Sequence, residues 1–243
     1  MLLEAGLPRT GVDVELKGRG DYVTATDRRA EAAILEVLAR ETPGVAVLAE
    51  EAGGNRASTM WAVDPLDGTT NFTRGLPVVG VSVALVADRD PVAGVVLGPF
   101  LNLEFTASKG GGAFRNGELL PRHREIEPAD AVVATGFPFR DRSQLPRYLT
   151  AMRNALKRFE DLRRAGSAAL DLAWTAAGTF DGFFELGLST WDVAAGALLV
   201  REVGGRVTDW SGGDGWIETG NILAAAPAVH AVLLEIAAQP PER

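Results

Sequence analysis

The stretch that most limits what this chain can become is Asp64-Pro65-Leu66-Asp67-Gly68-Thr69-Thr70-Asn71, directly after the apolar run Met60-Trp61-Ala62-Val63. The run reads as the end of a buried strand. Two carboxylates then stand three residues apart, with Pro65 holding the turn between them. Gly68 lets the backbone come close to whatever binds there, and two threonines follow at once. Carboxylate oxygens suit a hard divalent cation such as Mg2+, and a row of free N–H groups suits a phosphate. A solvated turn that needs Asp and Gly only for its backbone shape has the same local sequence. The rest of the chain has to separate the two.

The chain has 243 residues, enough for one large domain or two closely packed halves, and 47% of it is apolar, so a sizeable core is possible. A formal net charge of −8 argues against a general nucleic-acid binder, which needs a basic face for phosphates. An acidic protein that handles an anionic substrate must bring positive charge to its site, and metal ions are the obvious source. There is no cysteine, which removes disulfides, thiolate metal sites and cysteine nucleophiles and is compatible with a cytoplasmic location. His123 and His230 are the only histidines, too few for multi-histidine metal chemistry. No basic start precedes an apolar core at the N-terminus, and no apolar run is long enough to span a bilayer, so no membrane partner is expected.

Along the chain, Val12, Val14 and Leu16 alternate with acids, Lys17-Gly18-Arg19-Gly20 reads as a turn, and Tyr22 and Val23 begin an extended piece. A helix is expected next, with Thr26 as N-cap, Asp27 in the first turn, and Ala30, Ala33, Ile34, Val37 and Leu38 as one apolar stripe up to Pro43-Gly44. Val45 to Ala49 reads as a buried strand running into Glu50-Glu51. Strands are expected over 78–86 and 92–97 around the turn Asp88-Arg89-Asp90-Pro91, and again over 103–107. Gly110-Gly111-Gly112 and Asn116-Gly117 are hairpin punctuation rather than a phosphate loop, because Walker and dinucleotide spacings are absent. Ala131 to Thr135 is a strand and Gln144 to Phe159 a helix with Pro146 in its first turn. The second half alternates: helix 167–177, strand 181–186, an almost wholly apolar helix 192–203, strands 206–209 and 222–226, and a last helix from Pro227. No linker, low-complexity tract or fixed-period repeat divides the chain. It is expected to be a single domain with halves meeting near residue 140.

Four acids share one context. Glu50 ends an apolar strand, Asp64 ends another, Asp67 follows one turn later, and Asp192 opens a buried helix after Trp191. Taken alone, Asp192 reads better as a helix N-cap or first-turn acid, and Glu50 reads equally well as an exposed acid at a strand end. Acids beside so much apolar sequence are costly unless paired, hydrogen-bonded or metal-bound. A pair of Mg2+ ions about 3.5–4 Å apart needs several such carboxylates. A calcium EF-hand fails on spacing: counted from Asp64, the third, fifth and twelfth positions are Leu66, Gly68 and Gly75. A haloacid dehalogenase type of aspartate nucleophile needs its two aspartates two apart, whereas these are three apart.

At this point the residues resemble a known family, the inositol monophosphatases. Trp61-Ala62-Val63-Asp64-Pro65-Leu66-Asp67-Gly68-Thr69-Thr70-Asn71-Phe72 is similar to its first signature and Trp191-Asp192-Val193-Ala194-Ala195-Gly196 to its second. Val23-Thr24-Ala25-Thr26-Asp27, Glu50-Glu51, Gly166-Ser167-Ala168-Ala169 and Glu185 match further pieces in order, and the likeness covers roughly residues 12 to 235. The resemblance implies an α/β fold, the five-layer α-β-α-β-α sandwich of the sugar phosphatases. It implies a lithium-sensitive homodimeric enzyme that binds two or three Mg2+ per subunit and hydrolyses a phosphate monoester with a metal-activated water. Glu50, Asp64, the carbonyl of Leu66, Asp67 and Asp192 would be the metal ligands. Thr69, helped by Asp27 and Glu50, would orient and activate the water. The N–H groups of Gly68 and Thr69 would hold the phosphate. Thr70, Glu185, Asp192 and the Gly166-Ser167-Ala168 turn would complete the substrate site.

Three departures stand out. Members of the resembled family usually carry a full amphipathic helix before the Val23-Thr24-Ala25-Thr26-Asp27 stretch, whereas only a short segment precedes it here, as expected of either a shortened form or a late start, with the first layer affected in either case. Ala49 stands where glycine commonly precedes the two glutamates, and Ser167 where threonine is frequent. Thr70 and Glu185 look more like the inositol branch of the family, which implies myo-inositol monophosphate as substrate; the nucleotidase relatives tend to carry lysine at the place of Thr70. Fructose 1,6-bisphosphate, 3′-phosphoadenosine 5′-phosphate, histidinol phosphate or a broad range are the alternatives on the same metal core. A regulatory protein contacting the transcription machinery is the alternative of a different class.

Overall fold

The computed structural model describes residues 2–8, 15–18 and 21–240, with the backbone alone given for 15–18 and 21–23. Val12, Val14, Arg19 and Gly20 of the expected N-terminal pattern lie outside the described residues. In chain order the first elements are α1 (Leu2–Ala5), β1 (Glu15–Gly18), β2 (Asp21–Val23), α2 (Ala25–Glu41), β3 (Ala46–Ala49), β4 (Thr59–Asp67) and α3 (Thr69–Thr73). A meander follows: β5 (Gly80–Ala87), β6 (Asp90–Gly98), β7 (Leu103–Ser108), β8 (Gly112–Arg115) and β9 (Glu118–Leu119). The remainder is β10 (Val132–Thr135), α4 (Leu145–Arg158), β11 (Asp161–Arg163), α5 (Ala168–Ala176), β12 (Gly182–Glu185), α6 (Thr190–Glu202), β13 (Arg206–Thr208), α7 (Trp216–Thr219), β14 (Ile222–Ala225) and α8 (Pro227–Ala237).

Strands β3 to β9 form one sheet in sequence order, with only β3–β4 parallel. A five-stranded sheet follows the order β11-β10-β12-β14-β13, with β10 parallel to both its neighbours. Helix α2 packs on the outer face of the first sheet, α5 and α6 lie between the two sheets, and α4 and α8 cover the far face of the second. The layering is therefore α-β-α-β-α, as expected. Among the described residues no helix is long and apolar enough to cross a membrane.

The middle layer explains the near-continuous apolar sequence of residues 192–203. Val193 through Val200 on α6 are all buried, because both sheets and α5 surround the helix. An amphipathic stripe would leave one of those faces unmatched. Gly196 allows α5 to approach: a Cβ built there would stand 2.4 Å from the Cβ of Leu172.

Three local expectations are corrected. The N-cap of α2 is Thr24, not Thr26: Thr24 accepts from the N–H groups of Thr26 and Asp27, and its own N–H donates to Asp27 Oδ2 at 2.9 Å, a closed capping box. The stripe of α2 holds at Ala30, Ala33, Ile34 and Leu38 but not at Val37. Val37 is exposed, and the buried face near the N-terminus is Thr26, Asp27, Ala30 and Glu31, so two acids point inward. The turn between β5 and β6 is the pair Asp88 and Arg89, both at positive φ, and Asp90 already belongs to the strand.

Gly196→Ala tests the α5–α6 contact. Helix propensity alone would favour alanine by about 1 kcal/mol, but overpacking a closed core costs about 1–3 kcal/mol, and a 2.4 Å contact with Leu172 is far inside van der Waals distance. The clash wins, so the variant is expected to be net destabilised in chemical denaturation, and Gly196→Val more so. Unchanged stability of Gly196→Val would contradict the packing described.

Candidate metal and phosphate site

Strand β4 supplies the first two acids through a defect in its ladder. Asp64 pairs with Ser82, the register then shifts, and Asp67 pairs with Gly80. The acids lie within the strand at a bulge rather than after its end, which corrects the reading of a simple terminal turn. In a regular strand, residues three apart face opposite sides of the sheet. The bulge re-aims them, and both line one cavity. Pro65, having no N–H, loses nothing in the unpaired segment.

Each acid is held by donors from a different element. Asp64 is fully buried; its Oδ1 accepts the N–H of Leu66 at 2.9 Å, and its Oδ2 is buried with no hydrogen-bond partner. Asp67 Oδ2 accepts the Ser167 hydroxyl at 2.6 Å and the Ala169 N–H at 2.7 Å, both from the start of α5. Asp192 does not open its helix: α6 begins two residues earlier, and Asp192 closes a capping box by accepting the N–H of Ser189 at 2.7 Å. The capping reading and the cluster reading of Asp192 are therefore both met by one side chain. One carboxylate oxygen each from Asp64, Asp67 and Asp192 lie within 4.8 Å of one another. Glu50, directly after β3, lines the same cavity.

Gathering these groups is electrostatically unfavourable. Burial pushes the Asp64 carboxyl well above the usual carboxylate range, and the charges of Glu50, Asp67 and Asp192 push it further. Asp67 is pushed up to about 7, by burial and then by Asp192, against the hydrogen bonds from Ser167 and Ala169 and the charge of Arg140. A buried, unpartnered carboxylate oxygen amid other carboxylates is the donor set a hard divalent cation takes. The residues present fit such an ion.

Thr69 opens α3 after Gly68, whose φ of 91° is the left-handed conformation. A side chain at Gly68 would come within 3.0 Å of the carbonyl oxygens of Gly166 and Val78. The first N–H groups of such a turn have no partner within the helix. The Thr69 hydroxyl has two acceptors in reach, Asp27 Oδ1 at 3.3 Å and the Leu66 carbonyl at 3.2 Å. Asp27 itself is fully buried behind Thr69 and does not line the cavity. Burial raises its carboxyl above the ordinary value, against the bonds from Thr24. Asn71 donates to the carbonyls of Val78 at 2.8 Å and Ala165 at 2.9 Å, which ties α3 to the turn before Gly166.

Thr70, Gly166, Ser167, Ala168 and Glu185 also line the cavity. Of the residues singled out in the sequence, Asp27 alone stands behind its wall. Glu185, at the end of β12, lies directly against Gly136, where a Cβ would be 2.1 Å from its carboxyl. Burial, then the charges of Asp171, Asp192 and Asp67, hold Glu185 well above its usual range.

Sequence reasoning missed several lining residues, among them Arg140, Arg164 and Asp171. Arg140 bridges the cluster, 3.5 Å from Glu50 Oε1 and 3.8 Å from Asp192 Oδ2. It sits in an irregular segment whose sequence carries no signal. Arg164 and Asp171 also face the cavity. Asp171 is 1% exposed, with an unpartnered Oδ1. One turn after Ser167 on an apolar helix, it could have been marked by its spacing.

The profile of the inositol monophosphatase family matches residues 2–241 of this chain. The chain belongs to the inositol monophosphatase family. The inositol-1-monophosphatase of Mesorhizobium japonicum is 43% identical over 232 residues, covering 94% of this chain and 87% of that protein. The Nus factor SuhB of Escherichia coli strain K12 is 44% identical over 227 residues, covering 92% and 85%. The crystal structure of the extragenic suppressor protein suhB from Bartonella henselae matches with a TM-score of 0.88 at 40% identity, over 93% of this chain and 88% of that one. The present chain is thus a phosphatase of the inositol monophosphatase family with the layered fold of its relatives.

Addition of Mg2+ is expected to raise the melting temperature, because a ligand of the folded state stabilises it. Protons compete for the same oxygens. Burial and the charge of Asp192 push the Asp67 carboxyl up to about 7, so the gain is expected to be larger at about pH 8 than at about pH 6. Asp64→Asn should abolish the gain at both. A Mg2+ shift in Asp64→Asn equal to that of the wild type, read by differential scanning fluorimetry, would place the ion elsewhere.

Proposed function

We propose that this protein hydrolyses myo-inositol monophosphate to inositol and phosphate, as a Mg2+-dependent phosphomonoesterase. The observation that carries the proposal is the convergence of Asp64, Asp67 and Asp192 within 4.8 Å in a cavity that also holds Glu50 and Thr69. Glu50, Asp64, the Leu66 carbonyl, Asp67 and Asp192 would hold two or three Mg2+ per subunit, which would supply water of lowered pKa and positive charge for the phosphoryl oxygens.

The chain's own groups do the rest. The N–H groups of Gly68 and Thr69 hold the phosphate at the start of α3. The Thr69 hydroxyl, with Asp27 behind it as proton acceptor, orients the attacking water, and Glu50 takes part in removing its proton. The water oxygen bonds to phosphorus in line with the ester oxygen, the P–O ester bond breaks, and a proton passes to the departing inositol oxygen on the Asp192 side. Thr70, Glu185 and the Gly166-Ser167-Ala168 turn face the inositol hydroxyls. The name of the 43% identical Mesorhizobium relative supports inositol 1-phosphate over the other substrates.

The reading includes a single domain over 1–243 with halves of about 1–140 and 141–243, a cytoplasmic location, lithium sensitivity and a homodimer. The dimer is supported by the exposed face of α4, where Leu145, Leu149 and Leu156 are 40%, 50% and 59% exposed. A second activity is favoured by the Nus factor names of the relatives at 44% identity, which point to a role in a transcription assembly.

Phosphate release across a panel of sugar, inositol and nucleotide phosphates, with and without Mg2+ and Li+, tests the proposal. Inositol 1-phosphate is expected to be hydrolysed fastest, with dependence on Mg2+ and inhibition by Li+. Much faster turnover of fructose 1,6-bisphosphate or 3′-phosphoadenosine 5′-phosphate would overturn the substrate assignment. Thr69→Ala should lower kcat by about 10²-fold or more with KM little changed. Asp64→Asn should abolish hydrolysis while leaving any binding to transcription proteins intact; loss of both together would count against two separable activities.

A further inference from the structure

Helix α2 reaches the site through two acids one turn apart on its buried face, Asp27 and Glu31. Asp27 meets the Thr69 hydroxyl. Glu31 is 3% exposed, and its two carboxylate oxygens meet consecutive backbone N–H groups: Oε2 accepts from Glu51 at 2.8 Å and Oε1 from Ala52 at 2.7 Å. Glu50 immediately precedes these two residues. Its own N–H donates to the carbonyl of Val63 at 3.1 Å, next to Asp64. Ala49 and Gly53 close the turn with a reciprocal pair of backbone bonds at 2.8 and 3.0 Å.

We infer that Glu31 is a positioning residue for Glu50: it fills the inside of the 49–53 turn and, with the Val63 carbonyl, sets the direction in which Glu50 enters the cavity. The inference rests on the metal-site reading above. A carboxylate buried in α2 is costly by itself, and two charge-assisted bonds to N–H groups offset that cost only while the turn keeps its shape. One turn of a single helix thereby aligns the Thr69 hydroxyl on one side and Glu50 on the other.

Glu31→Gln keeps the shape but turns one acceptor into a donor facing an N–H group. Titration calorimetry of the full chain with Mg2+, without substrate, is expected to show affinity weakened by about 10-fold, the range seen when outer supports of metal ligands are removed. The kcat should fall while KM for inositol 1-phosphate stays within about twofold, since Glu31 touches no part of the phosphate cradle. The deciding measurement is the double variant. If Glu31 acts through Glu50, then Glu31→Gln added to Glu50→Gln weakens Mg2+ binding no further. Losses that add in the double variant, or wild-type Mg2+ affinity in Glu31→Gln, would overturn the inference. Should Glu31→Gln not fold, Glu31→Asp keeps the charge but withdraws it from the turn and carries the same comparison. No Mg2+ binding by the wild type, or no effect of Glu50→Gln, would instead overturn the metal-site reading, so the two failures are distinguishable.

Discussion

Mutual repulsion among buried carboxylates is the constraint to which the rest of this molecule answers. Asp64 and Asp192 are all but inaccessible to water, and Asp67 and Glu50 share their cavity. In a low-dielectric interior such charges destabilise one another steeply. Asp64, Asp67 and Asp192 are therefore each tied to hydrogen-bond donors. The donors are a Leu66 N–H for Asp64, the first turn of α5 for Asp67, and a capping box at the start of α6 for Asp192. The N-termini of both central helices thus converge on the same spot, where their dipoles favour negative charge.

That convergence gives the layered architecture its purpose. The bulge of β4 belongs to the first sheet, α5 and α6 to the middle layer, and Arg140 to the segment after β10 of the second sheet. The site sits where the layers meet, so it exists only once they have packed. The buried face of α6 and its close approach to α5 at Gly196 are consequently matters of function as well as of stability. The outer helix α2 acts at longer reach, through Asp27 on Thr69 and through Glu31 on the turn after Glu50.

The family to which the chain belongs includes relatives named for an inositol phosphatase and relatives named for a Nus factor at nearly equal identity. The acid cluster with Thr69 speaks for chemistry, since a surface for protein partners needs no buried carboxylate with an unpartnered oxygen.

Much of this was legible in the order of residues. Apolar periodicity marked the longer strands and helices, because burial on one face or two leaves its period in the sequence, whereas the short elements α1, α3, β11 and α7 carried no such period. The two signatures around Asp64 and Asp192 named the acids, because the ligands of a cation must be oxygen-bearing and their backbone supports must include Pro65 and Gly68. What the linear order could not contain was direction. That Asp64 and Asp67 face one cavity depends on a slip in strand register, and that Asp192 joins them depends on the packing of α6 between two sheets. Nor could it show that the buried face of α2 is acidic, that Arg140 spans Glu50 and Asp192, or that Asp171 lies in the wall. The sequence by itself determined which groups can bind a cation and hold a phosphate, since that is a property of side-chain chemistry. Only the tertiary structure decided which of them meet, since distances between residues a hundred positions apart are set by how layers pack and not by spacing along the chain.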